Sequence, residues 1–453
     1  MMAVNYSKIF GEYAWKYKKA RVKENDPDSW RRAQPLFITG PSGIGKTKAV
    51  LEYLNSRDNS YYFSFQNISE NLAIKFFSEE LNGPFAANWS EFFSYLDRML
   101  GSQLYAYVVF DGIRPDIIRS DFASELKKFL ALHENRNVFI ILVGRMQPEI
   151  EDDYYVIDFA PFTIGEVKKL YPLYSDIDLM RLYALTDGYY GLLDYFSPIL
   201  SVEQNLRNVL SDGSSFFMHA ETRYREAFRS PESYSDLLYA MTIGKHKLTE
   251  LARFSAYAPN KCDKYLRALL DAGIASTRQS NNRDGRSRTE YYLSSSFMTL
   301  WTHFIMNGTS SYSALPKSIM EYIDRECVPR FFRKLCSTWV HDRADKIYGR
   351  RLRGAKECFD VTVGDVIFDY VQRDGDRMIF IKIWDDLDGT RGPDDYIKVE
   401  NAVTSVNLFY NSQIILCSLR RFRESMWKRT REYANVHLME ARSMITSDVS
   451  LVL

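Results

Sequence analysis

The chain has 453 residues, 59 Lys+Arg against 58 Asp+Glu for a formal net charge of +1, 46% hydrophobic and 15% aromatic residues. Near-neutral charge excludes a whole-chain polyelectrolyte, so nucleic-acid contact has to come from a local patch, and the aromatic content excludes wholesale disorder. At roughly 100–200 residues per domain, the length predicts about two to four domains, each able to bury a core without disulfides or metals.

From residue 35 to about 161, apolar runs at 36–39, 61–65, 105–110, 138–143 and 154–159 alternate with helix-period stretches. One of these, 121–133, puts Phe122, Leu126, Phe129 and Leu130 on one face. The alternation predicts βαβ units and a mostly parallel sheet. The first run leads into Gly40-Pro41-Ser42-Gly43-Ile44-Gly45-Lys46-Thr47, a GxxxxGK[ST] motif between a strand and a helical stretch at 49–54. There the glycines let the backbone form an anion-binding nest at a helix N-terminus. Gly40 through Lys48 is therefore the candidate ATP site, with Lys46 on the β/γ-phosphates and Thr47 on Mg²⁺.

Tyr107-Val108-Val109-Phe110-Asp111 is an apolar strand ending in a carboxylate, which makes Asp111 the second candidate for Mg²⁺ and, with Lys46, for catalysis. In P-loop proteins whose acidic strand lies one strand removed from the loop strand, a Glu follows this Asp and polarises the attacking water. Here Gly112 follows, and the next carboxylate is Asp116. Nucleotide binding is thus better supported than hydrolysis. Arg145, at the end of the next strand, is the candidate sensor of the γ-phosphate.

Residues 163–230 read as helices only. Helical stretches at 234–243, 248–256 and 261–272, then Gly273 and two short strands around a polar loop at 280–289, predict a winged helix-turn-helix. A Gly/Ser-rich stretch, 307–313, precedes a helix at 319–340, strands at 365–371, 378–384 and 413–418, and a helix at 422–433. The predicted boundaries are 1–162, 163–231, 232–306 and 307–453. The five cysteines, Cys262, Cys327, Cys336, Cys358 and Cys417, show no CxxC spacing and no histidines pair at i,i+4, so reduced buried thiols are expected. No apolar run reaches membrane-spanning length, and the first residues lack a basic-then-apolar signal pattern, so a cytoplasmic protein without a membrane partner is expected.

This order of parts resembles the prokaryotic, largely archaeal family of AAA/STAND-type ATPases, in which a P-loop domain and winged helix precede a restriction-endonuclease-like domain. The resemblance is carried by Gly40–Thr47, Val108 to Asp111, Asp158-Phe159-Ala160-Pro161-Phe162, and Thr186-Asp187-Gly188-Tyr189-Tyr190-Gly191. It continues through Phe228 to Tyr234, Lys264 to Leu269, Tyr291 to Ser294, Trp301 and Ser418 to Phe422. It implies a P-loop NTPase parallel sheet, a helical lid, a winged helix and a C-terminal α/β endonuclease-like domain. Tyr190 stands where the lid segment carries proline. The nuclease pattern needs a carboxylate and then a Glu-x-Lys; Asp369 and Lys382 are present, but Phe380 replaces the Glu, so an inactive domain is expected.

The predicted recognition helix carries Lys261, Lys264 and Arg267, and the wing Arg278, Arg283, Arg286 and Arg288, a set suited to duplex DNA phosphates and equally to protein docking. Basic stretches at 16–23 and 420–431 read as solvated helix faces. The expected function is an ATP/ADP-dependent switch and slow ATPase. The alternatives are a hydrolysis-deficient ATP-binding scaffold for protein partners, and a metal-dependent DNA nuclease with displaced ligands.

Overall fold

The computed structural model describes residues 35–446 except 42, 56, 66–67, 102, 104, 134–136, 145–154, 212–214, 229, 282–286, 307–314, 349–355, 375–376, 388, 407 and 409–410. The chain divides into two compact units, 1–160 and 161–453.

In the first unit β1 (Leu36–Thr39), β2 (Ser60–Ser64), β3 (Tyr105–Ile113), β4 (Asn137–Gly144) and β5 (Tyr155–Asp158) make one parallel sheet in the order β2-β3-β4-β1-β5. This is the arrangement of a P-loop ATPase core: β4 pairs with both β1 and β3, which places the acidic strand one strand from the loop strand. The strands read as apolar runs because both faces of a parallel sheet are covered. On one face, Phe63, Phe65 and Phe110 pack with Phe77, Trp89, Phe92, Phe93 and Phe122 from the helices Glu70–Glu80, Trp89–Leu100 and Asp121–Leu132. Their ring centroids lie 4.9–6.5 Å apart, in edge-to-face and tilted geometry. At about 1.5–3 kcal/mol per buried ring, this cluster stabilises the packing of the helices on the sheet. On the other face Tyr53, from the helix Lys46–Leu54, meets Tyr107 edge-on at 5.8 Å.

The second unit opens with the helices Ile164–Leu170, Asp176–Thr186, Tyr190–Leu193, Val202–Ser211 and Ser215–Ala227. Buried polar side chains satisfy the carbonyls where these short helices end. Tyr171 Oη lies 2.7 and 3.0 Å from the carbonyls of Leu193 and Phe196, and the buried Asn205 amide donates to Ser197 O and Tyr174 Oη. Helices Ser235–Thr242, Leu248–Phe254 and Pro259–Asp271 then precede an antiparallel hairpin of β6 (Ala275–Asn281) and β7 (Ser287–Leu293), with a bridge between Lys247 and Glu290.

The remaining elements include a mixed sheet in the order β12-β11-β10-β9-β8. Its strands are β8 (Lys356–Val363), β9 (Val366–Asp374), β10 (Arg377–Trp384), β11 (Ser412–Ser418) and β12 (Val436–Glu440); β8 to β10 are antiparallel and β10 to β12 parallel. The two edge strands escape sequence reading, because Lys356–Val363 mixes charged and apolar residues and Val436–Glu440 is short. The helix predicted at 319–340 starts earlier, at Leu315, and is broken by a π-turn at Ile323–Cys327 before continuing as Val328–Tyr348. Among the described residues no helix is long and apolar enough to cross a membrane. Cys262, Cys327, Cys336 and Cys417 are free and buried.

Candidate functional site

The loop between β1 and the helix Lys46–Leu54 adopts the backbone that its glycines permit. Gly40, Gly43 and Gly45 have φ of 140°, 81° and 105°, a region that other residues enter only under strain. Gly40 is doubly required, since a Cβ there would lie 2.9 Å from the Phe159 carbonyl. The helix begins at Lys46 with no side-chain cap and no acidic residue in its first turn. The positive end of its dipole therefore favours an anion. The Ile44 side chain is buried, 1% exposed, leaving its backbone to line the loop. Ser42 lies outside the described residues, and Lys48 pairs loosely with Glu52 at 4.0 Å.

Lys46 is 9% exposed and its Nζ donates to the carbonyls of Gly40 and Pro41 at 2.6 and 2.9 Å, so the ammonium folds over its own loop. Thr47 Oγ1 donates to Asp111 Oδ2 at 2.6 Å, joining two groups 64 residues apart. The same oxygen accepts from Tyr62 Oη at 2.7 Å. Tyr62 was not singled out from sequence; the only signal was its place in the run 61–65, beside a strand ending in a carboxylate. Burial and the Asp111 carboxylate hold its phenol far above the usual tyrosine value. Hydroxyl and carboxylate oxygens of this kind are the hard donors that Mg²⁺ accepts. Thr47 and Asp111 are thus the residues able to hold it, next to a loop shaped for phosphate.

Gly112 has φ 79° and β3 shifts register there, so the strand continues to Ile113 with no side chain at the expected carboxylate position. Asp116 is engaged by the Arg114 guanidinium at 3.2–3.4 Å, which, despite some burial, holds its carboxyl below the usual range. Arg145 lies outside the described residues.

No protein-family model matches the chain. An uncharacterised protein of Methanocaldococcus jannaschii is 20% identical over 300 residues, covering 61% of this chain and 65% of that protein, so the chain spans just under two-thirds of that relative's length. Among solved structures, a signal transduction ATPase with numerous domains (STAND) and a tetratricopeptide repeat sensor from Pyrococcus horikoshii is 12% identical. That match covers 73% of this chain and 50% of the other, with a TM-score of 0.28. The Aeropyrum pernix ORC1 protein in complex with DNA is 11% identical over 71% of this chain and 94% of its own, with a TM-score of 0.33. AMPPCP-bound DnaA from Aquifex aeolicus is 15% identical over 60% and 90%, with a TM-score of 0.28.

In the second unit, the segment Thr186 to Gly191 is built as a helix end. Asp187 and Gly188 have φ of 48° and 73°, and a Cβ on Gly188 would lie 2.4 Å from the Phe162 carbonyl. Asp187 is buried and accepts from the Ser295 hydroxyl and from the N–H groups of Ser296 and Phe297 at 3.0 and 3.3 Å. Burial raises its carboxyl despite these donors and the Arg223 charge. The tyrosines near this segment are committed to packing. Tyr183 is fully buried with its hydroxyl on Phe162 O, Tyr189 accepts from Arg223 at 3.3 Å, and Tyr190 meets Phe162 edge-on.

The predicted nuclease positions do meet, around a guanidinium. Asp369 is buried; its Oδ2 accepts from Ile383 N at 2.7 Å and lies 3.6 Å from Lys382 Nζ. Arg333, from the helix Val328–Tyr348, reaches Asp369 at 3.5 Å and Asp385 at 2.5 Å. Burial raises the Asp369 carboxyl, opposed by Lys382 and Arg333. No cluster of three His, Cys, Asp or Glu suited to a metal occurs among the described residues.

The basic patch is smaller than its sequence. Lys261 sits 4.1 Å over the Tyr257 ring, Lys264 is exposed, and Arg267 pairs with Asp263 at 2.7 Å. Arg278 is spent on Asp360 of β8 at 3.0 Å, so it is not a free contact. Arg283 and Arg286 lie outside the described residues, and Arg288 sits opposite Ser280 on β7.

Proposed function

We propose that the chain binds Mg²⁺-ATP at Gly40–Thr47 and uses the nucleotide as a switch with slow hydrolysis. The observation that carries this is the left-handed glycine loop at an uncapped helix N-terminus, with the Thr47–Asp111 pair at 2.6 Å beside it. Loop amides and the helix end hold the phosphates, and Lys46 exchanges its two loop carbonyls for phosphoryl oxygens. Thr47 and Asp111 would hold Mg²⁺, which when bound would offset phosphate charge. Asp111 also fixes the Thr47 hydroxyl. The test is binding of a fluorescent ATP analogue: Lys46→Ala should weaken it by at least about tenfold, by loss of a charge-assisted contact, and equal binding would show the site is misassigned.

The second unit is read as lid, winged helix and a C-terminal endonuclease-like domain that is not catalytic. Asp187 supports mechanical coupling between lid segment and winged helix, because it accepts from three groups at residues 295–297. Arg333 between Asp369 and Asp385 supports an inactive domain, since a guanidinium already bridges the two acids. Lys261, Lys264 and Arg267, with Arg286 and Arg288 of the wing, make duplex DNA the proposed partner. A protein scaffold that binds but does not hydrolyse ATP is the second reading, favoured by Gly112; near-zero phosphate release at saturating Mg²⁺-ATP would select it.

A further inference from the structure

Two side chains near Asp111 that sequence nominates for handling the attacking water are absent or engaged. Position 112 is a glycine, and Asp116 is mostly exposed and gripped by Arg114, which itself reaches the carbonyls of Phe65 and Ile68 at 3.4 and 3.2 Å. What does reach the carboxylate is a phenol from the neighbouring strand. On β2, Tyr61 and Phe63 pack into the aromatic core, so Tyr62 and Ser64 share the opposite face. Ser64 pairs in register with Asp111 itself. Tyr62 donates to the Asp111 oxygen that also receives Thr47, and the Ser64 hydroxyl is hydrogen-bonded to the same phenol. The result is a row of hydroxyls, Ser64, Tyr62 and Thr47, around one carboxylate. With its proton committed to Asp111, Tyr62 has an oxygen lone pair to offer and no capacity as a base.

We propose that the Tyr62 hydroxyl, backed by Ser64, orients the attacking water in the place left empty by Gly112. This rests on the ATP-binding reading above. The water oxygen bonds to the γ-phosphorus, and the bond from that phosphorus to the β–γ bridging oxygen breaks, its electron pair remaining on ADP. The water proton passes to a γ-phosphoryl oxygen, and inorganic phosphate leaves. Tyr62 accepts a hydrogen bond from the water and stays neutral throughout. Orientation without a base accounts for slow turnover.

The test is the full chain with Tyr62→Phe, by calorimetry with Mg²⁺-ATP and Mg²⁺-ADP and by phosphate release on the same samples. Losing one positioning hydrogen bond should lower kcat by about 10- to 100-fold while affinity stays within about threefold. If Tyr62→Phe does not fold, Ser64→Ala carries the same test with a smaller fall in kcat. Parallel loss of affinity and turnover would show that Tyr62 only holds Asp111, and would overturn the proposal. Unchanged turnover would overturn it too, as would wild-type protein that binds ATP and releases no phosphate. Wild-type protein that binds no nucleotide would instead overturn the ATP-binding reading on which it rests.

Discussion

Replacing Arg333 with methionine probes how the second sheet carries its buried charge. Its Nη1 lies 3.5 Å from Asp369 Oδ1, and the Asp369 side chain is 7% exposed against 38% for Arg333. At that distance and an effective dielectric near 20, the attraction is about 5 kcal/mol. The exposed guanidinium is screened by solvent and Lys382 remains 3.6 Å from the acid, so a net loss of about 2 kcal/mol is expected. With a urea dependence of about 2 kcal/mol per molar, the midpoint should fall by about 1 M. The loss should depend on pH. Burial already raises the Asp369 carboxyl, so the folded chain binds this proton more tightly than the unfolded chain, and stability from this group falls as pH rises from the unfolded to the folded value. Removing Arg333 raises the folded value further. The deficit against wild type should therefore be largest at pH 8 and shrink towards pH 4. Circular-dichroism urea titrations at both pH values measure it. A deficit of the same size at both, or none at either, would refute the charge-compensation account.

Two further outcomes follow from named contacts. Gly188→Ala should destabilise the second unit by about 3 kcal/mol, since it combines a positive φ with a Cβ 2.4 Å from the Phe162 carbonyl, and a melting temperature unchanged from wild type would contradict that packing. If duplex DNA is the partner, the double substitution Lys261→Glu with Lys264→Glu should reduce the slope of log affinity against log salt by about 2, measured by anisotropy at several salt concentrations. An unchanged slope would remove these two lysines from the interface.

The glycine turn after β1 was legible because it is a local code. A strand, a glycine-rich turn and a helix start are contiguous, and their φ values follow from the absence of side chains at Gly40, Gly43 and Gly45. Asp111 was legible for a similar reason, as the acidic end of an apolar run. The alternating pattern from residue 35 to about 161 was enough for a parallel sheet, though its order came only with the strand pairing. Counting charges could not see that Arg278 of the basic patch is held by Asp360, 82 residues away.

What the sequence determined by itself is thus the set of elements whose conformation is set within a few residues along the chain: the strand, the glycine turn and the helix start that follows it, and the apolar strand that carries Asp111. What only the tertiary structure decided is which distant groups share an oxygen with them. Tyr62 lies 49 residues from Asp111 and becomes its partner because β2 pairs with β3; Arg333 lies 52 residues from Asp385 and occupies the acidic site because its helix packs on the second sheet. Backbone conformation is dictated by neighbours in sequence, whereas burial, charge compensation and hydrogen-bond acceptance depend on neighbours in space, and those are set by strand order and helix packing.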